Sequence, residues 1–284
     1  MGMVSEGKLP VSSSTKGLYD AVYEPTHVSQ YGHQQIEGRN TRLLACVKDY
    51  IQRLQIHDAA NVLEIGAAFG GLHTVHPNWR GVEYSRSAIR RGKEIFGADL
   101  NVVEADARAL PVADGSIDFL FSFATLEHIP RLEEVFQEIE RVLKPGGYAL
   151  LSPAWNCRAW TVKKLQQRPY AELTLSEKIG KWLIPLRDSL PFRLLCSLPG
   201  RIRRELRLAL GAPVALEYRR LQPDFSLWDR YPHISDDDAF VSIDAHAALT
   251  YFRAMGWRLL SHPTFFSRFA SRGAEIVLQK QPRA

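Results

Sequence analysis

The sequence predicts an α/β protein built on a doubly wound, mostly parallel sheet, and three observations carry that expectation. Short apolar runs alternate with amphipathic helical patterns from residue 61 to residue 152, the first run ends in a glycine-rich turn, and the same rhythm returns after residue 240. Repeated strand–helix alternation packs as parallel strands with helices on both faces. The composition allows it: of 284 residues, 45% are hydrophobic and 24% charged, which is too apolar for a disordered chain. No uncharged apolar run approaches the roughly 18 residues that a membrane span needs.

Each element has its own signal. Residues 38–55 place Leu43, Leu44, Val47, Tyr50, Ile51 and Leu54 at helical spacing, one apolar face of an amphipathic helix. Residues 61–66 form a short apolar run ending at Gly66, which suits a buried first strand entering a tight turn. A second strand is expected over 79–84, a helix over 85–96 with Ser85 as its cap, a third strand over 100–104 and a fourth over 117–123. Residues 132–143 read as a helix stopped by Lys144-Pro145-Gly146-Gly147, and 148–152 as the fifth strand.

After Pro153 the rhythm breaks, and Pro185, Pro191, Pro199, Pro213 and Pro223 interrupt a series of short helical patterns. Asp244 is then placed to cap a helix ending at Gly256, and strand-like runs at 257–260 and 274–278 bring the sheet to seven strands. The expected organisation is an N-terminal arm and helix over 1–58, a first half of the sheet over 59–154, a helical insertion after the fifth strand over 155–240, and a last helix and strands over 241–284. Residues 1–16, rich in Ser, Gly and Lys, are expected to be mobile.

Charge is unevenly spread. The chain carries 36 Lys and Arg against 31 Asp and Glu, a net +5. Residues 160–220 hold thirteen basic and five acidic residues, a net +8, so the remainder stands at −3. Within 180–210 arginines are interleaved with Trp182, Leu183, Ile184, Phe192, Leu194, Leu195 and Leu198. That mixture fits a solvated face over a core, a helix pair on an anionic membrane surface or over a lipid-linked acceptor, or phosphate contacts to nucleic acid. Cys46, Cys157 and Cys196 are odd in number and far apart, and read as reduced thiols of a cytosolic protein. Glu6 and Lys8 stand where a secretory signal would be apolar, which points the same way.

In an open parallel sheet, ligands bind beyond the carboxyl ends of the strands. The first strand ends Glu64-Ile65-Gly66-Ala67-Ala68-Phe69-Gly70-Gly71, where glycine lets backbone approach a ligand closely. The second ends Gly81-Val82-Glu83-Tyr84, and Glu83 lies 17 residues beyond Gly66, where an acid can take two hydrogen bonds from a ribose diol. The third ends Glu104-Ala105-Asp106-Ala107, and the fourth runs through Phe123 into Ala124-Thr125-Leu126-Glu127-His128. A glycine turn with one acid downstream would suit a nicotinamide dehydrogenase equally well.

The ordered set is more specific. VLEIGAAFG (62–70), GVEYS (81–85), EADARALPVADGSIDFLFSFATLEHI (104–129) and ERVLKPGGYALLSP (140–153) resemble the class I S-adenosylmethionine-dependent methyltransferases, in particular the type 11 group. The resemblance implies a Rossmann-like sheet, an N-terminal helical lid and S-adenosyl-L-methionine as cofactor. It implies that Glu64 helps hold the methionine amino end, that Gly66, Ala68 and Gly70 shape the loop beneath the cofactor, and that Glu83 takes the ribose hydroxyls. Tyr84 would lie along the adenine, Asp106 would accept its amino group beside the Ala107 backbone, and Phe123 would border the methionine moiety. Ala68 stands where a middle glycine is usual, which would set the backbone slightly farther from the cofactor. The stretch between Gly71 and Gly81 leaves room for one or two helical turns where a longer helix is normal.

On the acceptor side, methyl transfer to a hydroxyl needs a proton taken away, and a neutral histidine suits that near pH 7. His128 is the candidate base, with a structural histidine capping the loop as the other reading. Asp236-Asp237-Asp238 near His233 could ligate a divalent cation. Consecutive side chains diverge, however, and the spacing matches no metal loop, so no metal site is assigned and capping or a solvated face is expected. Recognition of a polar acceptor by Trp228, Asp229 and His233 is the other reading. His73 and His76 could share a helix face, with a structural role expected. Tyr19, Tyr23, Tyr31 and His33 either line the acceptor pocket or pack on the sheet.

The expected activity is therefore O-methylation of a small-molecule, sugar or lipid-linked acceptor in the cytoplasm, with peripheral contact to the inner membrane surface through 180–210 left open. Two alternatives stay open: a catalytically weak cofactor-binding scaffold or regulator, and an RNA methyltransferase. Nucleic acid is disfavoured because FATLEH occupies the place where amino-group DNA methyltransferases carry a DPPY-like tetrapeptide.

Overall fold

A computed structural model describes residues 15–23, 33–228, 230–232 and 234–282. Helices α1 (Thr15–Val22) and α2 (His33–Arg53) precede β1 (Val62–Ile65), β2 (Trp79–Glu83), α3 (Arg86–Phe96), β3 (Val102–Glu104) and β4 (Ile117–Phe123). Then come α4 (Leu132–Val142) and β5 (Leu143–Ser152). The insertion supplies α5 (Ala159–Val162), α6 (Leu175–Trp182), α7 (Ile184–Asp188), α8 (Leu190–Ala209) and a hairpin-like pair β6 (Tyr218–Arg220) and β7 (Val241–Ile243). The chain finishes with α9 (Ala245–Ala254), β8 (Arg258–Leu259), α10 (Phe265–Phe269) and β9 (Ile276–Gln279). Seven strands form one sheet in the order β3-β2-β1-β4-β5-β9-β8, mostly parallel, and β8–β9 is antiparallel.

The chain divides into two compact units, Met1–Phe123 with Glu134–Tyr148, and Ala124–Glu133 with Ala149–Ala284. In the first unit β1 is central. All four of its residues are buried, and it pairs in parallel with β2 on one side and β4 on the other. A strand flanked on both edges and covered on both faces needs an unbroken apolar run, which Val62–Ile65 provides except at Glu64. Helix α3 begins where expected: Ser85 accepts the Ala88 N–H on its Oγ at 3.2 Å, and the chain leaves the helix at Gly97 with φ 105. Gly92 on α3 sits against the turn after β1, where a Cβ would lie 2.3 Å from the Phe69 carbonyl oxygen. Only glycine lets that helix approach so closely.

Three details differ from the sequence reading. No helix forms between Gly71 and β2; the segment is a chain of turns closed by His73 N–H to Gly70 O at 3.0 Å and Val75 N–H to Leu72 O at 3.0 Å. His73 and His76 therefore share no helix face. His76 is buried, with Nδ1 accepting the Asn78 N–H at 3.1 Å and Nε2 on the His57 carbonyl at 3.2 Å, and His73 Nδ1 lies 2.9 Å from Gly70 O. Second, β5 starts at Leu143 rather than after the glycines. Lys144 binds both oxygens of Asp118 at 2.7 Å, and Gly115 and Ser116 donate to the Arg141 and Val142 carbonyls, so pairing runs through the Pro-Gly-Gly stretch. Third, β6 and β7 escape the sequence because each is three residues long and β6 is mostly exposed.

The second unit is held by buried ions. Arg201 makes a fork on Asp244, Nε to Oδ2 at 2.9 Å and Nη2 to Oδ1 at 2.6 Å, while Arg204 reaches Asp244 and Glu217 at 3.0 Å each. Arg204 Nε donates to His246 Nδ1 at 3.1 Å, and His246 Nε2 lies 3.0 Å from Glu205, which also takes Arg268. Burial and then the Arg204 charge push His246 down to about 4, so it stays neutral and can accept from Arg204. Asp244 also accepts the His246 N–H, capping α9 as the sequence indicates.

Candidate active site

The carboxyl ends of β1, β2 and β3 meet in the first unit. Gly66, Ala68 and Gly70 all take positive φ, at 78°, 47° and 77°. Ala68 thus adopts the left-handed conformation that the usual glycine would take, at a cost of about 1 kcal/mol in backbone strain. The strain has a visible anchor. Glu83, at the end of β2, accepts the Ala68 N–H on Oε2 at 2.8 Å, and the Tyr84 and Ser85 N–H groups on Oε1 at 2.8 Å each. One buried carboxylate therefore clamps the β1 turn to the β2 turn. Burial raises the Glu83 pKa, and the three backbone donors oppose that rise. A carboxylate has about four acceptor directions, so Oε2 keeps one for a hydroxyl.

Glu64 points into the same unit from β1 and accepts the Trp79 indole N–H at 3.0 Å. Burial pushes its carboxyl up to about 8, against the pull of the Trp79 hydrogen bond and with the Glu83 charge adding to the rise. It is therefore largely protonated at neutral pH. Asp106 follows β3, and Arg108 holds it in a fork: Nε lies 2.9 Å from Oδ1 and Nη2 2.5 Å from Oδ2, with the Arg108 N–H also on Oδ1 at 2.9 Å. Ala107 is buried beside it, and Phe123 ends β4 with its ring 6.0 Å from that of Phe121.

Helix α1 closes over these turns. The Lys16 ammonium stands 5.3 Å from the Tyr84 ring centre and pairs with Glu104. Asp20 accepts the Ser85 hydroxyl at 2.9 Å, and Tyr23 packs edge-on against Phe69 at 5.1 Å. Tyr23 is thus a packing residue on the glycine turn. Sequence reasoning missed Arg108, Trp79 and Asp20. Arg108 meets Asp106 within one turn, two residues away, whereas Trp79 and Asp20 lie 15 and 65 residues from Glu64 and Ser85 and reach them only through the register of the strands and the path of α1.

The second unit holds the acceptor-side candidate. His128 ends a single 3₁₀ turn (Leu126–His128), with Nδ1 3.2 Å from Asp238 Oδ1 and Nε2 3.6 Å from Glu127 Oε1. Burial alone would lower its pKa; the Asp238, Glu127 and Asp236 carboxylates overcome this and hold it up to about 10. The neutral histidine expected near pH 7 is thus corrected: His128 is an imidazolium there, a donor that must lose a proton before it can accept one. Glu127 is fully buried and its pKa is raised by that burial, with the His128 charge opposing. Cys157, buried close by, is pushed up by burial and by the same acids.

The aspartate run is no solvated face, and Asp237 caps its own turn by accepting the Ile234 N–H on Oδ2 at 3.1 Å. Asp237 is buried and paired with the fully buried Lys164, Asp238 faces His128, and Asp236 takes φ 65 with the Ser235 hydroxyl 2.9 Å from its carboxylate. Among the described residues no group of His, Cys, Asp and Glu is arranged to hold a metal ion. Trp228 is buried, its ring 5.3 Å from that of Phe225. Asp229, His233, Tyr31 and residues 1–14 lie outside the described residues, as does the side chain of His33.

The acids and turn fit the expected cofactor by their chemistry. Glu83 has an acceptor direction left for a diol, Asp106 is an acid preset by Arg108, and the Gly66–Gly70 backbone turns back without side-chain bulk at its two glycines. Residues 63–151 match the methyltransferase domain family. The chain is 31% identical over 117 residues to a sterol 24-C-methyltransferase of Gibberella zeae, covering 37% of this chain and 31% of that protein. It is 29% identical to phthiotriol/phenolphthiotriol dimycocerosates methyltransferase 1 of Mycobacterium ulcerans, covering 47% and 45%. A fatty-acid O-methyltransferase of Mycolicibacterium smegmatis is 32% identical over 34% of this chain and 38% of its own. The chain spans about a third of the length of the sterol relative. Residues 63–151, which carry the glycine turn and the Glu83 clamp, are a methyltransferase domain of the class I S-adenosylmethionine-dependent kind.

Proposed function

We propose that this protein transfers a methyl group from S-adenosyl-L-methionine to an oxygen of a hydrophobic or lipid-linked acceptor, with a small molecule or sugar as the wider class. The observation that carries the reading is the Glu83 clamp, which joins the β1 and β2 turns at the ligand end of a parallel sheet. When bound, the cofactor supplies an activated methyl on a sulfonium. The chain's own residues then bind and position: Glu83 takes a ribose hydroxyl on its remaining acceptor direction, Asp106 takes an amino group, and Glu64 faces the amino-acid end. The three relatives are named for methylating a sterol, phthiotriol/phenolphthiotriol dimycocerosates and a fatty acid, and we extend that apolar acceptor class to this chain.

His128 is the acceptor-side residue in this reading. As an imidazolium it orients an acceptor oxygen by donating to it; as a base it acts only once deprotonated, so turnover that rises with pH would mark the base role. Residues 180–210 reach the inner membrane surface peripherally, where an apolar acceptor resides. No helix among the described residues is long and apolar enough to cross a membrane.

Two measurements test the reading. Calorimetric titration with S-adenosylmethionine and with its demethylated product is expected to show binding, weakened at least about tenfold in Glu83→Ala. A labelled-methyl screen over lipid, saccharide and RNA fractions is expected to label lipid. Binding without transfer to any fraction would favour the scaffold reading, and label in RNA alone would overturn the acceptor assignment. His128→Ala is expected to lower turnover roughly tenfold or more while cofactor affinity stays within about twofold.

A further inference from the structure

The insertion in the second unit turns an apolar stripe outward. Along α8 and its cap residue Leu210, Leu195, Leu198, Ile202, Leu206 and Leu210 recur every three or four residues, and Leu195, Leu206 and Leu210 are 68%, 58% and 81% exposed. The orientation is held from behind, because Arg201 and Arg204 of the same helix point inward to Asp244 and Glu217. Helix α6 repeats the pattern with Leu175, Ile179 and Trp182, the last 73% exposed. Single exposed leucines need no explanation, but a helix-long stripe marks a surface that something covers.

Beside it the charge is one-sided. The guanidinium groups of Arg158 and Arg187 lie 5.8 and 5.4 Å from the Trp160 ring centre. Arg193 and Arg219 stand near enough to these and to Arg272 that, after burial, like charge is what lowers their pKa values. Asp188, 3.1 Å from Arg158, is the one carboxylate that these arginines are seen to pair with among the described residues. The Trp160 indole N–H finds no acceptor there. Arg207 flanks the leucine stripe on α8 and is exposed, while Arg203 beside it is paired with Glu217 at 2.8 Å.

We infer that this face docks on an anionic lipid bilayer: the leucines of α8 with Trp182 enter the headgroup–acyl boundary, and Arg187, Arg193 and Arg207 meet lipid phosphates. Charge decides between a bilayer and a second copy of the chain, because a symmetric dimer on this face would set arginines against arginines. A bilayer of negative surface potential offers an apolar interior and phosphates together. The inference deepens the reading of 180–210 as the acceptor-side segment and rests on it, yet vesicle binding requires neither cofactor nor turnover.

The test is co-sedimentation of the full chain with vesicles of phosphatidylglycerol and phosphatidylcholine, without cofactor. Pelleting is expected with the mixed vesicles, falling several-fold between about 0.05 and 0.5 M salt, and little with pure phosphatidylcholine. Leu195→Glu/Leu206→Glu, both on the exposed stripe, is expected to lose at least about tenfold in partitioning while cofactor titration in solution is unchanged. Arg187→Gln/Arg193→Gln is expected to lose the preference for anionic vesicles. Equal pelleting on both vesicle types, no pelleting at all, or pelleting kept by the double glutamate variant would each overturn the inference. So would sedimentation velocity showing a wild-type dimer that the glutamates dissociate. Failure of cofactor binding alongside intact vesicle binding would sink the methyltransferase reading and leave the docking face standing.

Discussion

Asp238 sets the charge on His128: their Oδ1 and Nδ1 atoms stand 3.2 Å apart although 110 residues separate them in the chain. The contact makes the histidine a fixed cation in a nest of acids. Because its folded pKa of about 10 exceeds the ordinary value of 6.5, the pair stabilises the fold fully below about pH 6.5 and loses that contribution as pH rises through 10. Asp238→Asn is expected to flatten this fall by about 2–4 kcal/mol, read from denaturant midpoints between pH 6 and 10. An NMR titration of His128 in that variant should return toward the ordinary range, and an unchanged titration would show that Asp238 is not the cause.

Glu64 follows the same logic from the carboxylate side. Its folded pKa of about 8 is raised from 4.5, so its contribution is complete below about pH 4.5 and is lost as pH climbs through 8. Glu64→Gln keeps the shape and the acceptor for Trp79 while removing the proton. Relative to wild type it should gain about 3–4 kcal/mol of stability between pH 5 and pH 8. Thermal unfolding of both proteins at the two pH values checks this, and a variant that loses stability equally at both would refute it.

Glu83→Gln sets an amide N–H₂ against one of three backbone donors that share the carboxylate. A loss of about 1–3 kcal/mol is expected, with cofactor affinity falling at least about tenfold. Chemical denaturation and calorimetry measure the two effects separately. A stable variant with weak cofactor binding would mean that the diol contact, and not the clamp, is the main role of Glu83.

Lys164 and Asp237 form an ion pair with side chains 0% and 3% exposed. Lys164→Met alone should cost about 3–5 kcal/mol by stranding the aspartate, while Lys164→Met/Asp237→Leu should recover most of that loss. Melting of the two single variants and the double variant gives the coupling energy directly, and additive losses would contradict the pairing.

The sequence alone determined where the sheet's first five strands lie along the chain, the Ser85 and Asp244 caps, and the acids that end β1, β2 and β3. Those features are local: apolar runs, caps and strand ends are written in neighbouring residues. Tertiary structure alone decided the partners. It brought Trp79 to Glu64, Asp20 to Ser85 and Asp238 to His128. It also turned Arg201 and Arg204 of the +8 segment inward and its leucines outward. Periodicity reports which face of an element is apolar, but the protonation of His128 and the direction of each arginine depend on charges that meet only after distant segments have packed.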